Sequence, residues 1–250
     1  MLDLSRISAG QWQTLGQRTV YFGHQSVGAN ILDGVREVTA RHPDIPIHIV
    51  SGARDTSVGA LNEFPIGRNQ DPESKNVAFV NATQGALGPR PVLMLKYCYV
   101  DVDEETEVEA VFECYRETAA TLRAQHPDAH IVHVTLPLAT EPSLLRYLMN
   151  SVRGISTTRD ANARRDDYNR MLRTAYAATE PVFDLAAIEA TRPDGTLEYG
   201  VIDGRRVPAL APEWSADGAH LNAAGAARVA EQLLATLATL PAGMQMPAQR

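Results

Sequence analysis

Tyr21-Phe22-Gly23-His24-Gln25-Ser26-Val27-Gly28-Ala29-Asn30 joins a β-type run to a helical one, and its reading decides the fold. Upstream, residues 18–22 have the apolar, aromatic composition of a short strand. Downstream, Val27, Ile31, Val35 and Val38 recur at helical spacing and make one apolar stripe. Between the two stands Ser26, a hydroxyl flanked by Gly23 and Gly28 at a strand-to-helix turn. The first amides of a helix have no partner within it, so such a turn can present a hydroxyl and unpaired N–H groups together. Gly, Ser, His and Asn are also ordinary turn residues, so the stretch alone specifies topology and not chemistry.

Working outward, a lead-in helix is predicted over residues 7–16. The helix from Val27 should stop near Arg41, because Pro43 disfavours helical geometry at His42. Residues 45–50 read as a second strand, which makes strand–helix–strand, the start of a parallel sheet. Residues 51–90 are rich in Gly, Asn, Asp and Pro and read as a long loop with a turn of helix near 76–83. Residues 91–99 form a nearly continuous apolar run, as in a strand covered on both faces. The acidic stretch 101–109 is expected to open a long helix marked by Val108, Phe112, Tyr115 and Leu122. A fourth strand is expected over 129–136 and a fifth over 181–184, with a long connection at 139–165 between them. His130 and His133 lie three apart in that fourth strand, on opposite faces, and make a poor metal pair. The terminal helix starts at the N-cap Asn222 and carries Ala226, Val229, Leu233 and Leu237 on one face. Five strands alternating with helices predict an α/β fold with one mostly parallel sheet. Residues 1–240 read as one domain and 241–250 as a frayed tail.

The composition narrows the partners. The 250 residues are 44% hydrophobic and 21% charged, with a net charge of −7. No basic run suggests nucleic acid, no apolar run is long enough for a membrane span, and a small-molecule substrate fits better. Cys98 and Cys114 make no disulfide framework and read as buried thiols. Residues 1–16 lack a signal-peptide pattern, so the cytoplasm is the expected location.

Near the C-terminus stands Asp217-Gly218-Ala219-His220-Leu221-Asn222, just before the last helix. A serine hydroxyl is a weak nucleophile until an imidazole accepts its proton, and the imidazole needs a carboxylate to set its tautomer. Asp217 and His220, three apart on a tight turn, can supply that contact. In open parallel sheets, ligands bind beyond the carboxyl ends of the strands, where Ser26 would sit.

Gly23-His24-Gln25-Ser26-Val27-Gly28 together with the Asp217–His220 block resembles the SGNH (GDSL-type) hydrolases. Phe183-Asp184-Leu185 is similar to that family's fifth-strand end. The resemblance implies a flavodoxin-like three-layer α/β/α sandwich with a five-stranded sheet in the order 2-1-3-4-5. It implies Ser26 as nucleophile, His220 as general base and acid, and Asp217 as its orienting carboxylate. It also implies an oxyanion-binding backbone N–H at Gly52 or Gly59. Two departures stand out. Gln25 occupies a position where the family has Asp. The third family block, which carries an Asn, would fall at Lys96-Tyr97-Cys98-Tyr99, where there is none. The missing donor is expected from the Cys98 region or from Asn30, Asn62 or Asn81, while His24 either donates or packs under the turn.

The expected activity is hydrolysis of a carboxylic ester with a short acyl group, a carbohydrate being one option for the alcohol portion, without metal or organic cofactor. Two alternatives remain at this level: an O-acyltransferase using the same triad, and a non-catalytic flavodoxin-like binding protein. A metal site of His24, Asp217 and His220 is the remotest reading.

Overall fold

The computed structural model describes residues 4–153 and 155–241. Strand β1 (Thr19–His24) is the centre of a five-stranded sheet with β2 (His48–Ser51), β3 (Ala60–Pro65), β4 (Pro91–Leu95) and β5 (His130–Ile131), ordered β2-β3-β1-β4-β5 and parallel throughout. At Val132 the ladder pauses while its N–H donates to the Leu93 carbonyl at 2.9 Å. The strand resumes as β6 (His133–Val134), which pairs in parallel with β7 (Val182–Phe183). The five expected strands therefore lie in the expected order, and one that was not expected, β3, is inserted between the second and the first.

Side chains alternate across this sheet, so each strand feeds two cores. Val20, Phe22, Leu61, Val92, Met94 and Phe183 face α1 (Ala9–Leu15), α2 (Ser26–Arg41), α7 (Leu185–Ala190) and α8 (Ala223–Thr239). Tyr21, Leu93, Leu95 and Ile131 face α3 (Pro72–Ala82), α4 (Val108–Gln125) and α6 (Thr158–Tyr176). The result is a three-layer α/β/α sandwich.

Residues 51–90, expected as loop with a turn of helix near 76–83, contain both β3 and the whole of α3. The strand was hidden because Asn62 and Glu63 interrupt its apolar pattern. Asn62 is nevertheless fully buried: its Oδ1 accepts from Asp55 N at 2.6 Å, and its Nδ2 donates to the Asp55 carbonyl at 2.9 Å. Glu63 meets His24 on the neighbouring strand, Oε2 to Nε2 2.8 Å.

Three other expectations shift. The strand over 91–99 ends at Leu95, and Tyr99–Asp101 form a single 3-10 turn. Only the end of the acidic stretch opens the helix, with Glu107 as N-cap and Glu109 in the first turn of α4, while residues 102–106 precede it as a turn. The connection 139–165 holds a short helix, α5 (Leu144–Val152), and further along residues 199–208 form an antiparallel hairpin of β8 (Tyr199–Ile202) and β9 (Arg205–Pro208). Of the tail expected to fray, Pro241 is pinned, its carbonyl accepting from Arg18 at 2.7 Å, and residues 242–250 lie outside the described residues. Among the described residues, no helix is long and apolar enough to cross a membrane.

Candidate active site

β1 ends at His24, Gln25 keeps an extended backbone (φ −134°) as N-cap, and Ser26 is the first residue of α2. The helix can start this close to the strand because position 28 is glycine. A Cβ there would lie 2.3 Å from the Cβ of His24, closer than packed atoms tolerate. The His24 ring occupies that space, stacked on Phe22 at 5.0 Å. Its Nδ1 donates to the Gln25 carbonyl at 3.0 Å, and its Nε2 meets Glu63. Burial pushes the imidazole pKa down, against the pull of those two oxygens. Both ring nitrogens are engaged beneath the turn, so of the two roles open to His24 the structure shows packing and not donation toward the Ser26 hydroxyl.

His220 reaches Ser26 from the other end of the chain. In the turn before α8, Asp217 Oδ1 accepts from the backbone N–H groups of Ala219 (3.0 Å) and His220 (2.8 Å). Its Oδ2 lies 2.7 Å from His220 Nδ1. These donors, the His220 N–H first, hold the Asp217 carboxyl down at about 2. An ionised Asp217 accepts only, so Nδ1 carries the ring proton and Nε2 offers its lone pair. That lone pair faces Ser26 Oγ at 3.1 Å. The turn is itself held in place: Gly218 N donates to Ser215 Oγ at 2.7 Å, Thr140 N to the Gly218 carbonyl at 2.8 Å, and Asn222 caps α8 through Gly225 N at 2.9 Å. The Tyr99 ring stands edge-on to the imidazole, 5.7 Å between centroids.

Cys98 is fully buried, with its Sγ 3.8 Å from Ser26 Oγ. Its backbone N–H is committed to Asp101 Oδ2 at 2.6 Å. Asp101 also accepts from Gln70 N at 2.8 Å and pairs with Lys75, both charged side chains having no exposed surface.

Gly52 is not at this site. It is an exposed residue (φ +73°) after the edge strand β2, and β3 separates that strand from β1. Gly59, the alternative, precedes β3 at the opposite end of the sheet from Ser26. The strand that does lie against β1 ends at Pro65, in register with His24, and is followed by Ile66 and Gly67. Gln25 Nε2 donates to the carbonyls of both, at 2.7 and 3.0 Å. Gly67 has φ +53°, and a Cβ on it would meet Lys75 N at 2.5 Å, so glycine is required there. The glycine that follows the sheet neighbour of β1 is therefore Gly67 and not Gly52, because the unforeseen strand lies between β2 and β1. Asn30 lies one turn into α2, its Oδ1 buried without a partner. Asn62 is consumed by Asp55, and Asn81 is near the end of α3, bonded to Gln84 at 3.2 Å.

Beside Asp217 opens a cleft of about 690 Å³, lined by Gln70 and Tyr99, by Thr140, Glu141 and Thr157, and by Arg165. The long segments 51–90, through Gln70, and 139–165 both contribute to its walls. A larger groove of about 1030 Å³ between α4 and α6 holds none of these residues.

No protein-family model matches the sequence, and no curated protein matches it. Solved structures do match. A GDSL-like lipase from Bacteroides thetaiotaomicron superposes with a TM-score of 0.52 at 14% identity, over 94% of this chain and 95% of that one. The fold is that of the GDSL-type (SGNH) hydrolases. A proposed acylhydrolase from Bacteroides fragilis gives a TM-score of 0.50 at 14% identity, over 94% and 95% of the two chains. The near-complete coverage places all three layers of this chain, with no large part left over, on the SGNH hydrolase architecture.

Proposed function

We propose that the protein is a serine hydrolase of carboxylic esters, acting through an acyl-enzyme on Ser26. The observation that carries this reading is the relay Asp217–His220–Ser26, with links of 2.7 and 3.1 Å, at the N-terminus of α2. Ser26 Oγ attacks the acyl carbon while its proton passes to His220 Nε2, and ionised Asp217 stabilises the imidazolium. The oxygen of the tetrahedral intermediate gathers negative charge beside the unpaired first amides of α2. As the intermediate collapses, His220 returns the proton to the departing alkoxide. Water then attacks the acyl-enzyme with His220 as base, and the carboxylic acid leaves as Ser26 regains its proton. No step requires a metal or an organic cofactor.

The cleft beside Asp217 is walled by hydroxyls and carboxylates, which supports a small, hydroxylated alcohol portion such as a carbohydrate. Ser26→Ala is expected to abolish turnover of p-nitrophenyl acetate while the circular dichroism spectrum stays unchanged. Wild-type turnover in that variant would sink the reading.

A further inference from the structure

If Ser26 is the nucleophile, its oxyanion needs donors, and the block that usually contributes a side-chain amide ends here in Cys98. Among the described residues most of the obvious substitutes are spent, and Asn30 makes no hydrogen bond that would orient its amide. The Cys98 N–H is held by Asp101, both ring nitrogens of His24 are engaged, Asn62 is occupied by Asp55, and Gly52 is at the far edge of the sheet. Lys96, wholly buried, donates to the Tyr97 carbonyl at 3.1 Å.

A further amide, on an exposed turn, has its orientation set and its N–H groups without a partner among the described residues. Asn69 lies two residues beyond Gly67, in the loop that Gln25 ties to the nucleophile turn. Its Oδ1 accepts from Lys75 Nζ at 3.1 Å. An ammonium donates only, so the oxygen of the amide must face Lys75 and the NH₂ must face away from it. Lys75 is in turn anchored by Asp101, which also grips Gln70 N and Cys98 N. One buried carboxylate thus binds the Asn69 loop and the Cys98 segment, whose Sγ is 3.8 Å from Ser26 Oγ. The backbone of the loop is itself constrained. Arg68 and Asp71 bridge across the turn, and Gln70 is forced to φ +62°, a conformation non-glycine residues rarely adopt.

We propose that Asn69 is a catalytic residue of this enzyme, its side-chain NH₂ donating to the oxyanion from the loop after β3 in place of a donor from the strand after it. The buried Lys75–Asp101 pair is then a positioning device: it fixes the flip of the amide before substrate arrives, so that little reorganisation remains when charge develops.

The inference rests on the serine-hydrolase reading, and one set of variants tests the two separately. Ser26→Ala, Asn69→Ala and Asn69→Asp are assayed on p-nitrophenyl acetate, with thermal melts alongside. Asn69→Asp keeps an oxygen on Lys75 but exchanges the donor for a carboxylate that also repels the oxyanion, so retained activity in it counts against the role of Asn69 even if the alanine variant folds poorly. Both Asn69 variants are expected to lose about 10²–10³-fold in kcat with KM within threefold of wild type. Their affinity for a trifluoromethyl ketone, whose hemiketal oxygen mimics the oxyanion, should drop by a similar factor, which a merely structural loop residue would not produce. Retention of kcat within tenfold by folded Asn69 variants, in a preparation whose Ser26→Ala is inactive, overturns the role of Asn69 alone. Activity in Ser26→Ala overturns the hydrolase reading and the Asn69 role with it.

Discussion

Asp217 illustrates how a short stretch can set the protonation of a whole relay. The carboxylate takes two backbone N–H groups from its own turn and the imidazole Nδ1–H besides, all of which favour the charged form. A depressed carboxyl pKa means the group remains ionised above the depressed value and loses its charge only as pH falls through it. We therefore expect an NMR titration of the Asp217 carboxyl to show a midpoint near 2; a midpoint near the ordinary aspartate value would show the turn contacts to be absent in solution. Loss of activity at mildly acid pH must then come from another group. Asp217→Asn keeps the size of the side chain but can present its NH₂ to Nδ1, which moves the ring proton to Nε2, where it blocks acceptance from Ser26. The expected cost is about 10⁴-fold in kcat, the size of effect known when the equivalent serine-protease carboxylate is replaced.

At the scale of elements, β3 decides where the site is assembled. Its insertion beside β1 brings Ile66 and Gly67 to the nucleophile turn and leaves Gly52 exposed two strands away. The strand is held partly by apolar burial of Leu61 and partly by Asn62, whose amide closes the Asp55 backbone. Asn62→Ala would leave the Asp55 N–H and C=O without their buried partner. It should destabilise the protein by about 2–3 kcal/mol in urea denaturation, from two lost hydrogen bonds partly replaced by water. A change below about 0.5 kcal/mol would mean that the Asn62 contacts do not hold the strand.

Across the whole molecule, ionisable side chains gather beneath the carboxyl end of the sheet. Lys96 is fully buried, Arg165 donates to the carbonyls of Tyr99 and Val102 at 2.8 and 3.1 Å, and Glu189 of α7 accepts from Leu138 N at 2.7 Å. These contacts tie the strand ends and the Tyr99 turn to the helices on both faces. Burial pushes the Glu189 carboxyl up to about 8. A folded carboxyl with a raised pKa binds a proton that the unfolded chain releases above about 4.3. Its contribution to stability is therefore complete at pH 4 and is lost as pH rises toward 8. Glu189→Gln, neutral throughout and able to keep an oxygen on Leu138 N, should show a shallower decline of melting temperature between pH 5 and 8 than wild type. Parallel profiles would show that Glu189 is ionised throughout that range.

Much was legible in the chain itself. Strands announced themselves where they are apolar throughout, as at Val92–Leu95, and α2 and α8 where one face repeats at helical spacing, since local pattern and burial agree there. Ser26, Asp217 and His220 could be singled out because turn geometry and side-chain chemistry coincide within a few residues. What only the tertiary structure decided depends on partners far apart in sequence. Asn62 and Glu63 look like loop residues until Asp55 and His24 satisfy them. Gly67, and not Gly52, follows the sheet neighbour of β1 only because β3 lies against β1. The orientation of Asn69 is set by Lys75 and, through it, by Asp101. The sequence by itself determined an α/β fold with a serine at its first strand-to-helix turn; the packing of a polar, unrecognised strand beside that turn determined what surrounds the serine.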